Sequence, residues 1–133
     1  MKYMILLYGT QQDYDVLAGR PTGKAPMSVA EVAAMHAQME SVHQGLVESG
    51  ELVDAQGLGA PAQAKRVRLQ RGLKVVTDGP YSETQEVLAG YTVVECDSPE
   101  RATEIAATLI NRAVEGEYVD VRPIPGGVAD LEV

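Results

Sequence analysis

Apolar and polar positions change period several times along this chain, and each change marks a new element. Residues 2–8 are a short apolar run stopped by Gly9, which predicts a buried strand. Alternation puts Lys2, Met4, Leu6 and Tyr8 on one face and Tyr3, Ile5 and Leu7 on the other. Residues 9–27 then lose any period. They are polar and rich in Gly and Pro, which predicts a long loop, functional or mobile, with 19–26 its most linker-like part.

A helical period begins at Ser28. Ser28 and Glu31 have capping-box spacing, and Met27 and Val32 suit a hydrophobic staple. Val32, Met35, Met39, Val42 and Leu46 follow as one apolar stripe, with Gly50 as the stop. Residues 51–60 predict a second strand that ends near Gly57-Leu58-Gly59. Residues 65–70 and 73–77 predict a hairpin around Arg71-Gly72, and residues 87–96 a further strand centred on Val93 and Val94. Ser98-Pro99 opens a second helix whose buried face is Ala102, Ile105, Ala106, Leu109 and Ile110. Residues 117–124 predict a last strand, and 125–133 a C-terminal extension.

The order is β-α-β-(hairpin)-β-α-β, an α+β arrangement. Two β-α-β halves with right-handed crossovers give a ferredoxin-like sandwich with both helices on one face of the sheet. The other face then needs a ligand or a cover, and a second copy across a two-fold axis is the economical one.

Composition narrows the function. The 133 residues suit one domain with one core. That core has neither Phe nor Trp, so its six Tyr are the only aromatics. A buried Tyr needs a partner for its hydroxyl, so an inward Tyr belongs to a polar network or a wet cavity. Eleven basic residues against 19 acidic ones give a net charge of −8. That balance argues against nucleic-acid backbones and anionic membranes as partners. Five of the cations, Lys65, Arg66, Arg68, Arg71 and Lys74, fall on the hairpin. They read as charges that discourage edge pairing, with an anion or partner site as the alternative. Cys96 is the only cysteine, which excludes an internal disulfide and fits a reducing, cytoplasmic setting. No stretch is long enough to span a bilayer.

The sharpest local signal is Thr77-Asp78-Gly79-Pro80-Tyr81-Ser82-Glu83-Thr84-Gln85-Glu86. Asp-Gly-Pro ends a strand and forces a turn, with Gly79 biased toward extended geometry before proline. On a helical segment Glu83 and Glu86 share a face and converge with Asp78, where like charges raise a carboxyl pKa and create a general acid or base. The alternative is a turn with solvated carboxylates. His36 and His43 flank the helical stripe beside Glu40. Seven residues, or about 10 Å, separate them along the axis, too far to share a metal, and no metal site is expected. Tyr8, Tyr91 and Arg122 lie on strands that this order brings together. They suit a small anionic ligand, or Arg122 suits an interface salt bridge. Cys96 reads as a small buried hydrophobe.

The run Asp78-Gly79-Pro80-Tyr81 with Glu83-Thr84-Gln85-Glu86 resembles the DGPF signature of the YCII-related family, with Tyr81 in place of Phe and Gln85 in place of Lys. Met1-Lys2-Tyr3-Met4, Leu7-Tyr8, Gly90-Tyr91 and Val119-Asp120-Val121-Arg122-Pro123 fit the same family, so the resemblance spans residues 1–124. It implies a homodimer of ferredoxin-like protomers, the dimeric α/β-barrel, with a polar cleft at the sheet and dimer interface. It also implies a small-molecule binder or cofactor-independent enzyme. In that reading Asp78 and Glu83 are the catalytic carboxylates, and Tyr8, Glu86, Tyr91 and Arg122 hold the substrate. The competing reading is a non-catalytic dimeric regulatory module, since some relatives accompany sigma factors.

Overall fold

A computed structural model of the chain describes residues 1–110 and 115–126. The fold is α+β. Strand β1 spans Lys2–Gly9, β2 Leu52–Gly57, β3 Lys65–Gln70, β4 Leu73–Asp78, β5 Val87–Glu95 and β6 Val119–Ile124. Helix α1 spans Gln11–Leu17, α2 Val29–Ser49 and α3 Pro99–Thr108, with one short 3-10 turn at Pro61–Gln63. Four strands form an antiparallel sheet in the order β2-β5-β1-β6, and β3 and β4 form a separate two-stranded sheet.

The helices begin and end where their caps demand. Ser28 accepts the Glu31 amide and Glu31 returns a carboxylate to the Ser28 amide, so two orphan donors of α2 are satisfied. Gly50 closes the helix in the left-handed region at φ 78°, where a side chain would be strained. Ser98 caps α3 and Pro99 occupies its first turn.

Segment 9–27 departs from the expected loop. It contains α1, closed at its start by a reciprocal cap between Thr10 and Asp13. Seven residues are too few to show a helical period, so the cap was the only available signal. The turn after β4 departs too. Gly79 takes φ 52° rather than an extended angle, and its amide donates to the Ala64 carbonyl at 2.8 Å. Residues 82–86 form a turn, not a helix, closed by the Gln85 amide on the Ser82 carbonyl. The second strand ends at Gly57, within the expected Gly57-Leu58-Gly59 stop. Of the expected extension at 125–133, residues 127–133 lie outside the described residues.

The core sits between one sheet face and the two long helices. Tyr3, Ile5, Val94 and Cys96 meet Leu46 of α2 and Ala102, Ile105, Ala106 and Leu109 at and beyond α3. Direct cross-strand partners share a face. Tyr3 therefore stands with Val94, and Ile5 with Thr92 and Val121, on the helix side. Met4 stands with Val93 and Arg122, and Leu6 with Tyr91 and Asp120, on the other. One bulge matters below: Leu7 pairs with Gly90 and Tyr8 with Leu88, so Ala89 is left without a partner on β1. Beside it, β2 and β5 approach so closely that a Cβ on Gly90 would lie 2.9 Å from the Gln56 carbonyl oxygen. Only glycine fits there.

Candidate functional site

The helix-side face of the sheet is not filled along its whole length. Toward the end of β1 a cavity of about 510 Å³ opens between sheet and helices. Its size is that of a small-molecule site. Leu7 and Val119 from the sheet and Met35 and Met39 from α2 supply apolar wall. Helix α1 contributes Asp13, Tyr14 and Leu17, and the loop beyond β2 contributes Leu58. Methionine suits such a wall because its unbranched thioether adapts to occupants of different shape.

Two polar side chains meet inside. His43 stands one turn beyond Met39 on the same face of α2, so the stripe that builds the core also carries an imidazole inward. Its Nε2 lies 3.5 Å from Oγ1 of Thr92 on β5. Thr92 is only 2% exposed, so this contact lies in a largely water-excluded part of the structure. The pair offers one donor and one acceptor whose roles exchange with the imidazole tautomer.

Asp13 shapes the rim. It is buried, accepts the Thr10 amide at 2.9 Å and the Lys24 ammonium at 2.6 Å. Lys24 thereby ties the segment after α1 to the cavity wall. Tyr14 donates its hydroxyl to the carbonyls of Leu58 at 3.0 Å and Ala89 at 3.3 Å. Burial raises its pKa, so it stays a donor at neutral pH.

Three further tyrosines of the lining are fastened to carboxylates. Tyr8 donates to Asp120 at 2.7 Å, Tyr91 to Asp54 at 3.2 Å and Tyr118 to Glu86 at 2.7 Å. The hydrogen bond to its carboxylate raises the pKa of each phenol, so none is a ready phenolate. The rings of Tyr8 on β1 and Tyr118 just before β6 lie 5.4 Å apart and tilted.

The residues singled out from the sequence are divided by this geometry. Tyr8 and Tyr91 line the cavity, and Glu86 reaches it through Tyr118. Asp78 and Glu83 are not in its lining. Asp78 is largely exposed and paired with Lys65 at 2.9 Å. Glu83 is exposed, and its backbone carbonyl accepts the Gln12 amide at 3.2 Å. Asp78 and Glu86 therefore have different neighbours and Glu83 is held through its backbone, without the shared helical face that convergence needed. Arg122 is exposed and stands on the opposite sheet face, beside Met4. His36 is exposed on α2, away from the lining. Among the described residues no group of three or more His, Cys, Asp or Glu is placed to hold a metal ion. No helix among them is long and apolar enough to cross a membrane.

Sequence reasoning passed over Thr92, Asp13 and Tyr14, and weighed His43 only as a metal ligand beside the apolar stripe. His43 had a readable signal, its four-residue spacing from Met39. Thr92 had none, because a threonine inside a strand is ordinary.

A family model described as the YCII-related domain matches residues 1–124 of the chain. An uncharacterised protein of Rhizobium meliloti (strain 1021) is 31% identical over 86 residues, covering 65% of this chain and 69% of that protein.

Proposed function

Since the chain belongs to the YCII-related domain family, we propose that it binds a small, largely apolar molecule in the cavity between α2 and the sheet. The cavity itself carries this reading: about 510 Å³ of open volume in a face that is otherwise packed. Filling such a space with side chains would stabilise the fold, so its retention favours an occupant. The polar pair inside suits a hydroxyl, carbonyl or enol oxygen held by His43 and Thr92, with the remainder of the molecule against Met35, Met39 and Leu7. The imidazole is also the group best placed to give or take a proton, which would let cofactor-independent chemistry proceed there.

The sheet order suits a ferredoxin-like protomer. The face bearing Met4, Leu6 and Val93 suits a two-fold partner, as in a dimeric α/β-barrel. In that assembly Arg122 and Asp120 lie near the covered face, apart from His43 and Thr92. The carboxylates Asp78 and Glu83 then act through the turn that delivers Glu86 to Tyr118, rather than on the ligand.

Proton–nitrogen NMR spectra of the labelled protein, titrated with a fragment set of aromatic and aliphatic ketones, phenols and carboxylates, test the reading. Shifts are expected at Met39, His43, Thr92 and Val119, and those at His43, Thr92 and Val119 should vanish in Met39→Trp, which occupies the space. The carboxylate members separately test the anionic ligand expected from the sequence. A full set that leaves those four resonances unmoved removes the cavity as a binding site.

A further inference from the structure

A second feature stands apart from the cavity. Strands β3 and β4 hydrogen-bond to each other and not to the four-stranded sheet. An isolated hairpin is marginal in water. This one exposes Val67, Leu69, Leu73 and Val76 at 63, 73, 68 and 58%. Cross-strand pairing sets Val67 against Val76 and Leu69 against Lys74 on one face. The other carries Arg68 against Val75 and Gln70 against Leu73. Apolar residues therefore stand on both faces, interleaved with cations.

The base of the hairpin is pinned. Lys65 pairs with Asp78 at 2.9 Å, and the Arg66 guanidinium lies 5.2 Å from the Tyr81 ring centroid. Arg68, Arg71 and Lys74, farther out, make no ion pair among the described residues. Five cations and one carboxylate give residues 65–78 a charge of +4, while six cations and 18 carboxylates leave the rest of the chain at −12. Hairpin and body are thus electrostatic complements.

We infer that the β3–β4 hairpin is an arm that seats on the acidic body of a second copy of this chain. The arm's outer cations make no ion pair with their own body among the described residues, and another copy carries the same excess of negative charge. The exchange is reciprocal: each copy offers one arm and one seat, so the contact closes around a two-fold axis. The exposed valines and leucines supply desolvated contact, and Arg68, Arg71 and Lys74 supply register and steering. Nucleic acid fits the arm's charge but meets repulsion from the body. This contact is independent of the cavity and of any pairing through the open sheet face.

The test uses the full chain. A nitroxide is attached to Leu69→Cys in unlabelled protein, which is mixed with nitrogen-15-labelled parent. Broadening of exposed acidic positions in the labelled copies is expected. It should weaken from about 0.05 M to about 0.5 M salt, as screening shortens from beyond ~10 Å to a few ångströms. The same label on a background of Arg68→Gln, Arg71→Gln and Lys74→Gln, with unchanged circular dichroism, should give no broadening. Sedimentation should show at least a tenfold weaker self-association for that triple variant. A label that leaves the parent's spectrum untouched overturns the inference. So does equal self-association of parent and triple variant, or capture of a short DNA duplex by the arm in place of the second copy.

Discussion

At the end of the sheet where Tyr3 and Val94 stand, every neighbouring side chain fits against another. At the end where Leu7 and Thr92 stand, a cavity takes their place. Both ends belong to one face and lie under one helix. The difference is in the side chains that α2 sends down. Its second half presents Val42 and Leu46, branched and compact, and α3 adds Ala102 and Ala106, small enough to let the helix lie close. Its first half presents Met35 and Met39, long and pliant, and His43, beside Val42, turns an imidazole toward the same space. The same helix and sheet run past both ends, so residue choice along a single stripe separates packing from vacancy, while the bulge at Ala89 marks the hollow end alone.

Substitutions at each end should therefore behave differently. Ile5→Ala attacks the packed end, where Ile5 is 0% exposed. It should cost about 3 kcal/mol in a urea melt, the usual range for a methylene-stripped core site. A loss below about 1 kcal/mol would mean that the packed end is as loose as the hollow one.

Thr10→Ala removes the cap that holds α1 against the hollow end. It should cost about 1 kcal/mol and loosen the Tyr14 hydroxyl's hold on Leu58 and Ala89, read by amide exchange at Tyr14 and Leu58. Unchanged exchange would mean that the Lys24–Asp13 tie alone fixes the rim.

Glu51 clamps the packed end to α3. Its carboxylate accepts two bonds from Arg101, at 2.7 and 2.8 Å, and one from Ser49. The Arg101 hydrogen bonds, foremost, hold its pKa down at about 2. A folded pKa below the unfolded one gives stability that is complete above about pH 5 and lost as pH falls toward 2. Glu51→Gln should flatten the melting temperature across that window. Parallel curves for variant and parent would remove the clamp from the account.

Met39→Phe is the converse of Ile5→Ala, because it adds volume where volume is missing. Stability should stay within about 1 kcal/mol of the parent while fragment-induced shifts at Thr92 shrink. Asp78→Asn should do least, within about 0.5 kcal/mol, because it removes a solvent-exposed pair. A larger change by circular dichroism would restore Asp78 to a structural or functional role.

The packed end was legible in the sequence because repetition announces burial. The spacing of Val42 and Leu46, and of Ala102, Ile105 and Ala106, is the helical period itself. The hollow end was not, because absence of material has no period. Its residues are scattered over β1, α1, α2, β2, β5 and the approach to β6, and only folding gathers them. Asp78 and Glu83 drew attention through a local motif, but a turn in place of a helix pairs Asp78 with Lys65 and leaves Glu83 held by its backbone carbonyl. Tyr8 and Tyr91 were readable as residues of one region because strand order is a long-range fact that alternating segments encode. His43 was readable only by asking what the apolar stripe carries besides apolar residues.

Ala89 has a consequence of its own. A residue skipped in a ladder keeps its peptide oxygen for other employment, and here that oxygen takes the Leu58 amide at 2.8 Å and the Tyr14 hydroxyl at 3.3 Å. One left-over carbonyl is the mooring for both banks of the cavity mouth. Excising Ala89 would leave Tyr8 facing Leu88 and Gly9 facing Val87 as before, so the sheet would close without a seam. The mouth, having lost its bollard, would drift.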